Sequence, residues 1–455
     1  MTGNWKWKAA ALCLAAGGAL LPLQALAQAK EQFVPMLSYR VGPYAAGGTG
    51  FFSGYIDYLD MLNKRDGGIN GIKLTWEECE TEYKNDRGVE CYERLKNKGP
   101  TGATVFTPLS TGITYAILDR AGTDRKPVMS MGYGRTDASD GRIFPFVFPI
   151  VTNYWSQNTA KIKFIGMKEG GMDKLKGKKI VNLYHGSAYG KETIPILDLQ
   201  AKKYGFEVVH IEVPHPGNEQ QSQWLQIRQM KPDWVILRGW GVMNPTALKT
   251  AQKTGFPPDR IIGVWWSGAE EDVIPAGDAA KGYIAAAFHP SGQEFPVIQD
   301  ILKYDYSGGK KGAMDDPKRI GQQYYNRGVI QGMLTAEAIR VAQEKYGKRP
   351  LTGDEIRWGI ENLKIDEKQI KVLGAFNLLQ PLKLSCLDHE GGGAVKFQQW
   401  NGERWIVITD WIQSDQSLVR PEVEKSAAQY AKEKNITPRD CAKEAAEEAK
   451  KGKKG

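Results

Sequence analysis

Histidine and cysteine are scarce, five of each in 455 residues. His185, His210, His215, His289 and His389 form no ligand spacing with any cysteine, which argues against a zinc site and leaves no metal or other cofactor to expect. No phosphate-cradling G-x-x-x-x-G-K-[ST] loop occurs, and in HGSAYG (185–190) the serine is wrongly spaced for a G-x-S-x-G elbow. His185, two residues from Ser187, reads as a loop histidine rather than part of a triad. Long apolar runs are also missing. The N-terminal one, Ala9 to Leu23, falls short of the ~20 residues a membrane span needs. Charge of one sign is not concentrated enough to suggest nucleic acid. The formal +9 drops to +7 without Lys6 and Lys8, and much of the rest lies in the closing KEAAEEAKKGKKG, read as a solvated, frayed end.

What is present begins with an export signal. Lys6 and Lys8 precede the apolar run, and Ala25-Leu26-Ala27 before Gln28 gives the small-x-small pattern of a cleavage site after Ala27. Residues 1–27 are therefore expected to be removed as the chain is exported. Leu12 before Cys13 speaks against a lipoprotein, since a small residue should precede a lipidated cysteine. The mature chain keeps Cys79, Cys91, Cys386 and Cys441, an even number that export allows to oxidise. Of the three pairings, Cys79 with Cys91 would close a short loop, and Cys386 with Cys441 would tie the tail to the body.

From residue 33 to 288 strands alternate with helices. EQFVPMLSYRVG, IKLTWEECE, ATVFTPLS and PVMSMGYG read as strands with helical segments between them. After FPFVFPIVTNYW the rhythm restarts with a helix near 156–168, followed by strands KKIVNLYHGS, FEVVHIEVP, DWVILRGW and RIIGVWWS. The fold class is α/β, with two tandem parallel-sheet units. A long helical region is expected from Phe295 to Tyr346, and AVKFQQWNGERWIVITDWI reads as a hairpin turning at Asn401-Gly402. The strand-to-helix turns SYRVGPYAAGGTG, TPLSTG, MGYGRTDASDG, HGSAYG, RGWGVMNP and WWSGAEED gather at the carboxyl edge of such sheets, where ligands bind. They carry Gly, Ser, Thr, Tyr and Trp, groups for gripping a small molecule rather than transforming it.

The order and spacing of VGPYAAGG, DGGINGIKL, TPLSTG, KKIVNLYHGSAYGKE, DWVILRGW and IPAGDAAKGYIAAAFHP resemble the leucine/isoleucine/valine type of periplasmic binding protein, from about Phe33 to Leu363. These are the substrate receptors of branched-chain, or hydrophobic amino acid, ABC importers. The resemblance implies a type I periplasmic binding protein fold, two Rossmann-like lobes joined by three crossing strands. Lobe one would be 31–155 plus 288–365, lobe two 156–287 plus 366–415, and 416–455 an added tail. It also implies a monomer, not an enzyme, that hinges shut on a small solute and presents the closed form to a membrane permease with its ATPase subunits. Contact with the membrane would come only through the permease, and none with nucleic acid is implied.

Carried onto this chain, the resemblance assigns the ligand's carboxylate to Ser110, at a helix start whose free N–H groups include Thr111. Gly132, Tyr133, Gly134 and Arg135 fall where the family offers groups to an amino-acid head, with Arg135 either gripping a carboxylate or pairing with Asp137. Tyr189 and Trp240 would wall the cleft, Tyr44 would lie at the tip of the first strand, and Gly47, in place of a bulky residue, would enlarge the pocket. His289 would line the cleft. Amino-acid binders of this family place an acid early in the loop that here reads Trp266-Ser267-Gly268; Glu270 and Glu271 come later. A buried ammonium without a partner is costly. Unless one of those glutamates reaches the cleft, the ligand is a carboxylate with an aromatic or aliphatic body and no amine; amino acids and short amides are the other classes such lobes take.

Two other readings compete. An exported dinucleotide enzyme would use Gly48, Gly50 and Gly54 with Glu78 or Glu80 as the ribose acid, but the glycine spacing is one residue too long. A periplasmic ligand sensor would share the fold without the transport.

Overall fold

The computed structural model describes Met1 and residues 30–452, so the expected export signal lies outside the described residues. The chain forms two α/β units. In the first, β1 (Glu31–Met36) runs parallel to β2 (Lys73–Glu78), and β3 (Val128–Met129) parallel to β4 (Val147–Phe148). Segment 103–106 joins the two pairs, through Thr104 N–H to Phe33 O at 2.9 Å and the Phe106–Val128 bridge. In the second, β5 (Lys179–His185), β6 (Glu207–Val213), β7 (Trp234–Arg238), β8 (Ile261–Gly263) and β9 (Ile284–Ala287) are all parallel.

A short antiparallel pair, β10 (Lys364–Ile365) and β11 (Leu382–Lys383), follows. The expected hairpin, β12 (Ala394–Trp400) and β13 (Trp405–Val407), then adds to the edge of the second sheet through β9, with β14 (Ile412–Gln413) also on β12. The second sheet thus has eight strands, seven in the order β13-β12-β9-β8-β7-β5-β6 and β14 beside β12. Among the described residues no helix is long and apolar enough to cross a membrane.

Residues 150–153, 288–291 and 390–393 connect the units. The third crossing comes later than the expected residue 366. Leu384 N–H still bonds Leu363 O (3.0 Å), and the buried His389 holds Val147 O (2.8 Å), so 366–389 packs with the first lobe. Polar contacts to lobe-one carbonyls outweigh the sequence's alternation there, which is too irregular to reveal them.

The tail is not frayed over the described residues. Helix Gln416–Lys434 places Val419, Val423, Ala427 and Ala431 at four-residue intervals, and all four are buried. Val419 and Val423 pack on Trp155 and Ile196 of lobe two, while Ala427 and Tyr430 join the Phe144 cluster of lobe one. Beyond it, helix Cys441–Gly452 is tied down by the Cys386–Cys441 disulfide, and Cys79–Cys91 is bonded as well. The region 295–346 is likewise not one helix. It breaks into Pro296–Ile301, short turns, and the buried Gln323–Tyr346.

Glycines 48, 50 and 54 serve packing. A Cβ on Gly54 would lie 2.1 Å from Tyr325 O, so helix Ala45–Asp66 can press onto helix Gln323–Tyr346 only without one. That close approach sets Tyr324 and Arg327 against the second lobe.

Candidate functional site

Strand ends from both lobes converge on a cage of rings. From lobe one, Gly132 O accepts the indole N–H of Trp265 (2.9 Å) and of Trp266 (2.7 Å), both from lobe two. Tyr133 follows, its ring 4.4 Å from Trp266 and 6.0 to 6.2 Å from Tyr154, Tyr189 and Trp240. Trp265 stacks on Tyr154 at 5.6 Å, and Tyr324 on Trp266 at 6.0 Å. Tyr39, Tyr44 and Tyr83 close the remaining side against Trp240. The lobes touch across the cleft, Tyr44 Oη lying 2.8 Å from His185 Nε2 and Tyr324 Oη 3.0 Å from Trp266 O.

Local sequence explains these placements. Asn153 caps helix Tyr154–Glu169 by accepting Ser156 N–H at 2.8 Å, which fixes Tyr154 at the first helical turn. The apolar strand Trp234–Leu237 ends in Arg238 at the carboxyl edge, and Trp240 follows in the turn. Trp240 stacks almost parallel on Tyr44 (6°) and fills the space beside Gly47, where a Cβ would fall 2.5 Å from its Cη2. Gly47 therefore makes room for Trp240, not for a larger pocket.

Several expected residues have other occupations. Ser110 Oγ accepts Ile113 N–H (3.3 Å) as the cap of helix Thr111–Asp124, and Thr111 Oγ1 accepts Gly134 N–H (3.2 Å). Arg135 is chelated by Asp137 at 2.6 and 2.8 Å and lies 4.4 Å over Tyr430 of the C-terminal helix, so its charge is spent outside the cage. Ser267 donates to Gly239 O, as does Tyr189. Glu270 accepts Gln323 N–H (2.9 Å), and Glu271 pairs with Arg319 (2.7 Å). His289 lies behind Arg327, its Nε2 accepting the guanidinium Nε–H at 3.1 Å, and burial pushes its pKa well below the usual imidazole value.

The electrostatics of the cage turn on residues that the motifs did not mark. Arg238 and Arg327 are fully buried. Arg238 donates Nε–H and Nη2–H to Tyr189 O (3.0 and 2.8 Å) and covers the Tyr154 ring at 3.9 Å. Arg327 donates Nη1–H to Trp265 O (3.0 Å) and lies 4.4 Å over Trp266. Among the described residues neither has a carboxylate partner, and Arg238 Nη1, Arg327 Nη2, Tyr133 Oη, Tyr154 Oη and Trp240 Nε1 are buried without any. The carboxylate buried beside the cage, Asp272, is already committed to Ala269 N–H (2.9 Å), Asn244 (2.8 Å) and Tyr324 Oη (2.7 Å), and burial raises its pKa to about 7. Positive charge and free donors thus face the cage with little negative charge to answer them. The visible sequence signal was a basic residue ending an apolar strand, at Arg238. Arg327 gave none, being one basic residue of many in a helix.

Two α/β units meeting in a cage of rings at their strand ends have the architecture of a solute-binding protein. The sequence profile of the periplasmic binding protein family matches residues 31–404, and the chain belongs to that family. Among solved structures it is similar to a protein described as an ABC transporter permease from the Pseudomonas fluorescens group. Identity is 50%, coverage 90% of this chain and 99% of the other, and the TM-score 0.84. It shares its fold with a branched-chain amino acid ABC transporter protein from Thermus thermophilus with bound valine (20% identity, 86% and 99% coverage, TM-score 0.71). It also shares it with an ABC transporter solute-binding protein from R. palustris in complex with benzoate (18%, 84% and 97%, 0.66). No curated protein matches the chain.

Proposed function

We infer that this chain is the exported solute-binding component of an ABC importer, and that it traps a small carboxylate with an aromatic or aliphatic body and no amine. One observation carries the choice of ligand: two fully buried guanidinium groups, Arg238 and Arg327, meet an aromatic cage without a carboxylate partner among the described residues. Of the nearby acids, Glu270 accepts Gln323 N–H, and Asp272 accepts from Ala269 N–H and Asn244 with Tyr324 Oη 2.7 Å away. Glu271 pairs through Oε1 with Arg319, its buried Oε2 being the one unpartnered acid oxygen set against the two guanidinium groups, so an α-ammonium group would enter a predominantly positive site. Rings of Tyr133, Tyr189 and Trp240 supply apolar faces for the body. Closure would present the joined lobes to a permease, and the bound molecule would leave unchanged.

A thermal-shift screen of leucine-like amino acids, short amides and aromatic carboxylates tests this. A solute at 100 times its Kd stabilises the fold by about 2.7 kcal/mol. The carboxylates should raise the Tm and the others should not; a shift confined to amino acids would overturn the choice of ligand.

A further inference from the structure

We propose that the ligand's anionic head is seated inside lobe two, against Arg238 Nη1 and Lys161 Nζ, leaving its body in the ring cage. The proposal rests on the solute-binding reading and assigns that site its deep end. Tyr154, Gln157 and Lys161 stand at i, i+3 and i+7 on helix Tyr154–Glu169 and so share one face, which runs from the cage into the lobe. The facing surface of the sheet carries Asn182 and Arg238. In the β5/β7 register Asn182 pairs with Ile236 and Tyr184 with Arg238, which puts all four on one side.

Ile180, Ile236, Ile165 and Leu197 pack in the same layer, as does the buried Asn158, which donates to Gln200 Oε1 (2.9 Å). Yet Tyr154 Oη, both amide atoms of Gln157, Lys161 Nζ, Asn182 Oδ1 and Arg238 Nη1 are buried there without a partner. Polar atoms so enclosed are costly to leave dry, so something polar fills the space between them. Water would satisfy hydrogen bonds but would not offset the positive charges; an anion does both. Lys161 is fully buried and has no carboxylate partner among the described residues. Burial, with the charge of Arg238 beside it, drives its pKa well below the ordinary amine value. Ser110, the alternative seat in lobe one, already has its oxygen occupied by Ile113 N–H.

The test is calorimetry and thermal shift on the full mature chain with benzoate, 3-phenylpropanoate, 4-methylpentanoate and phenylphosphonate, beside valine and acetamide. Lys161→Met should raise the Tm of the empty protein, by removing a buried amine, and weaken the bound anions at least 30-fold, about 2 kcal/mol. Ser110→Ala should weaken them less than fivefold. Gln157→Leu, which leaves both cations in place, should act in the same direction as Lys161→Met and replaces it should that variant not fold. Unchanged anion affinity in both lobe-two variants would overturn the proposal and make this cluster of polar atoms a hydrated structural feature. Loss in Ser110→Ala with none in Lys161→Met would overturn it in favour of lobe one. Stabilisation by valine or acetamide and by no anion would overturn the seat while leaving solute capture intact. Stabilisation by no solute of any charge would overturn both.

Discussion

The two indole N–H groups on Gly132 O join the lobes, so removing them should loosen closure without unfolding either half. Trp266→Phe keeps an aromatic ring against Tyr133 and deletes one donor at 2.7 Å; Trp265→Phe deletes the other at 2.9 Å. A single hydrogen bond nets about 0.5–1.5 kcal/mol, so each variant should lower the closed-to-open ratio roughly 2- to 13-fold. The double variant strips the carbonyl of both donors in a buried site. It should cost about 2–4 kcal/mol, roughly 30- to 900-fold, more than the two single losses together, because only the second removal strands the carbonyl. Electron–electron distance measurements between spin labels at Val41→Cys and Leu225→Cys, exposed positions on lobes one and two, would read the populations directly. Circular dichroism should stay that of the wild type. An interlobe distance distribution unchanged in the double variant would refute the reasoning, since closure would then not run through Gly132.

Further expectations follow from packing and charge. Gly47→Ala places a methyl about where Trp240 Cη2 lies, 2.5 Å from the new Cβ, so it should push Trp240 off Tyr44 and weaken ligand at least tenfold by calorimetry; an unchanged Kd would contradict the assigned role of Gly47. Burial alone would raise the pKa of Glu361, but hydrogen bonds from His389 and Arg439 outweigh it and hold the group down to about 2. Its folded pKa lies below its unfolded value near 4.5, so its stabilisation is present above that value and is lost as pH falls from about 4.5 to 2. Limited proteolysis read on reducing gels, since the Cys386–Cys441 disulfide would otherwise hold the fragment, should release the C-terminal arm over that interval, and Glu361→Gln should flatten the profile. Arm release at the same pH in both proteins would assign the acid sensitivity to other groups.

Much of the fold was legible because alternation of strands and helices, and turn dipeptides such as Asn401-Gly402, are local signals. The late third crossing was not, since it depends on His389 reaching Val147 O across 242 residues. The tail was misread because its closing charges drew attention from the four-residue spacing of Val419, Val423, Ala427 and Ala431. At the site, aromatic residues in strand-to-helix turns pointed to Tyr44, Tyr133, Tyr189 and Trp240, and all four are in the ring cluster. Arg135 was the arginine that the turn made conspicuous, yet its pairing with Asp137 and Tyr430 takes it away. Arg238 showed only as a basic residue ending an apolar strand, and Arg327 and Lys161 were silent, because a buried cation is written in sequence like a solvated one. Only burial and the lack of a carboxylate partner distinguish them.

The most direct test of an amine-free anion in this cage is calorimetry with matched pairs that differ only by the α-ammonium group: phenylacetate and phenylglycine, 3-phenylpropanoate and phenylalanine, 4-methylpentanoate and leucine. In every pair that binds, the amine-free acid should win by about 100-fold or more, the cost of burying an unpaired cation beside two others. Tighter binding of the amino acid in any pair would contradict the account.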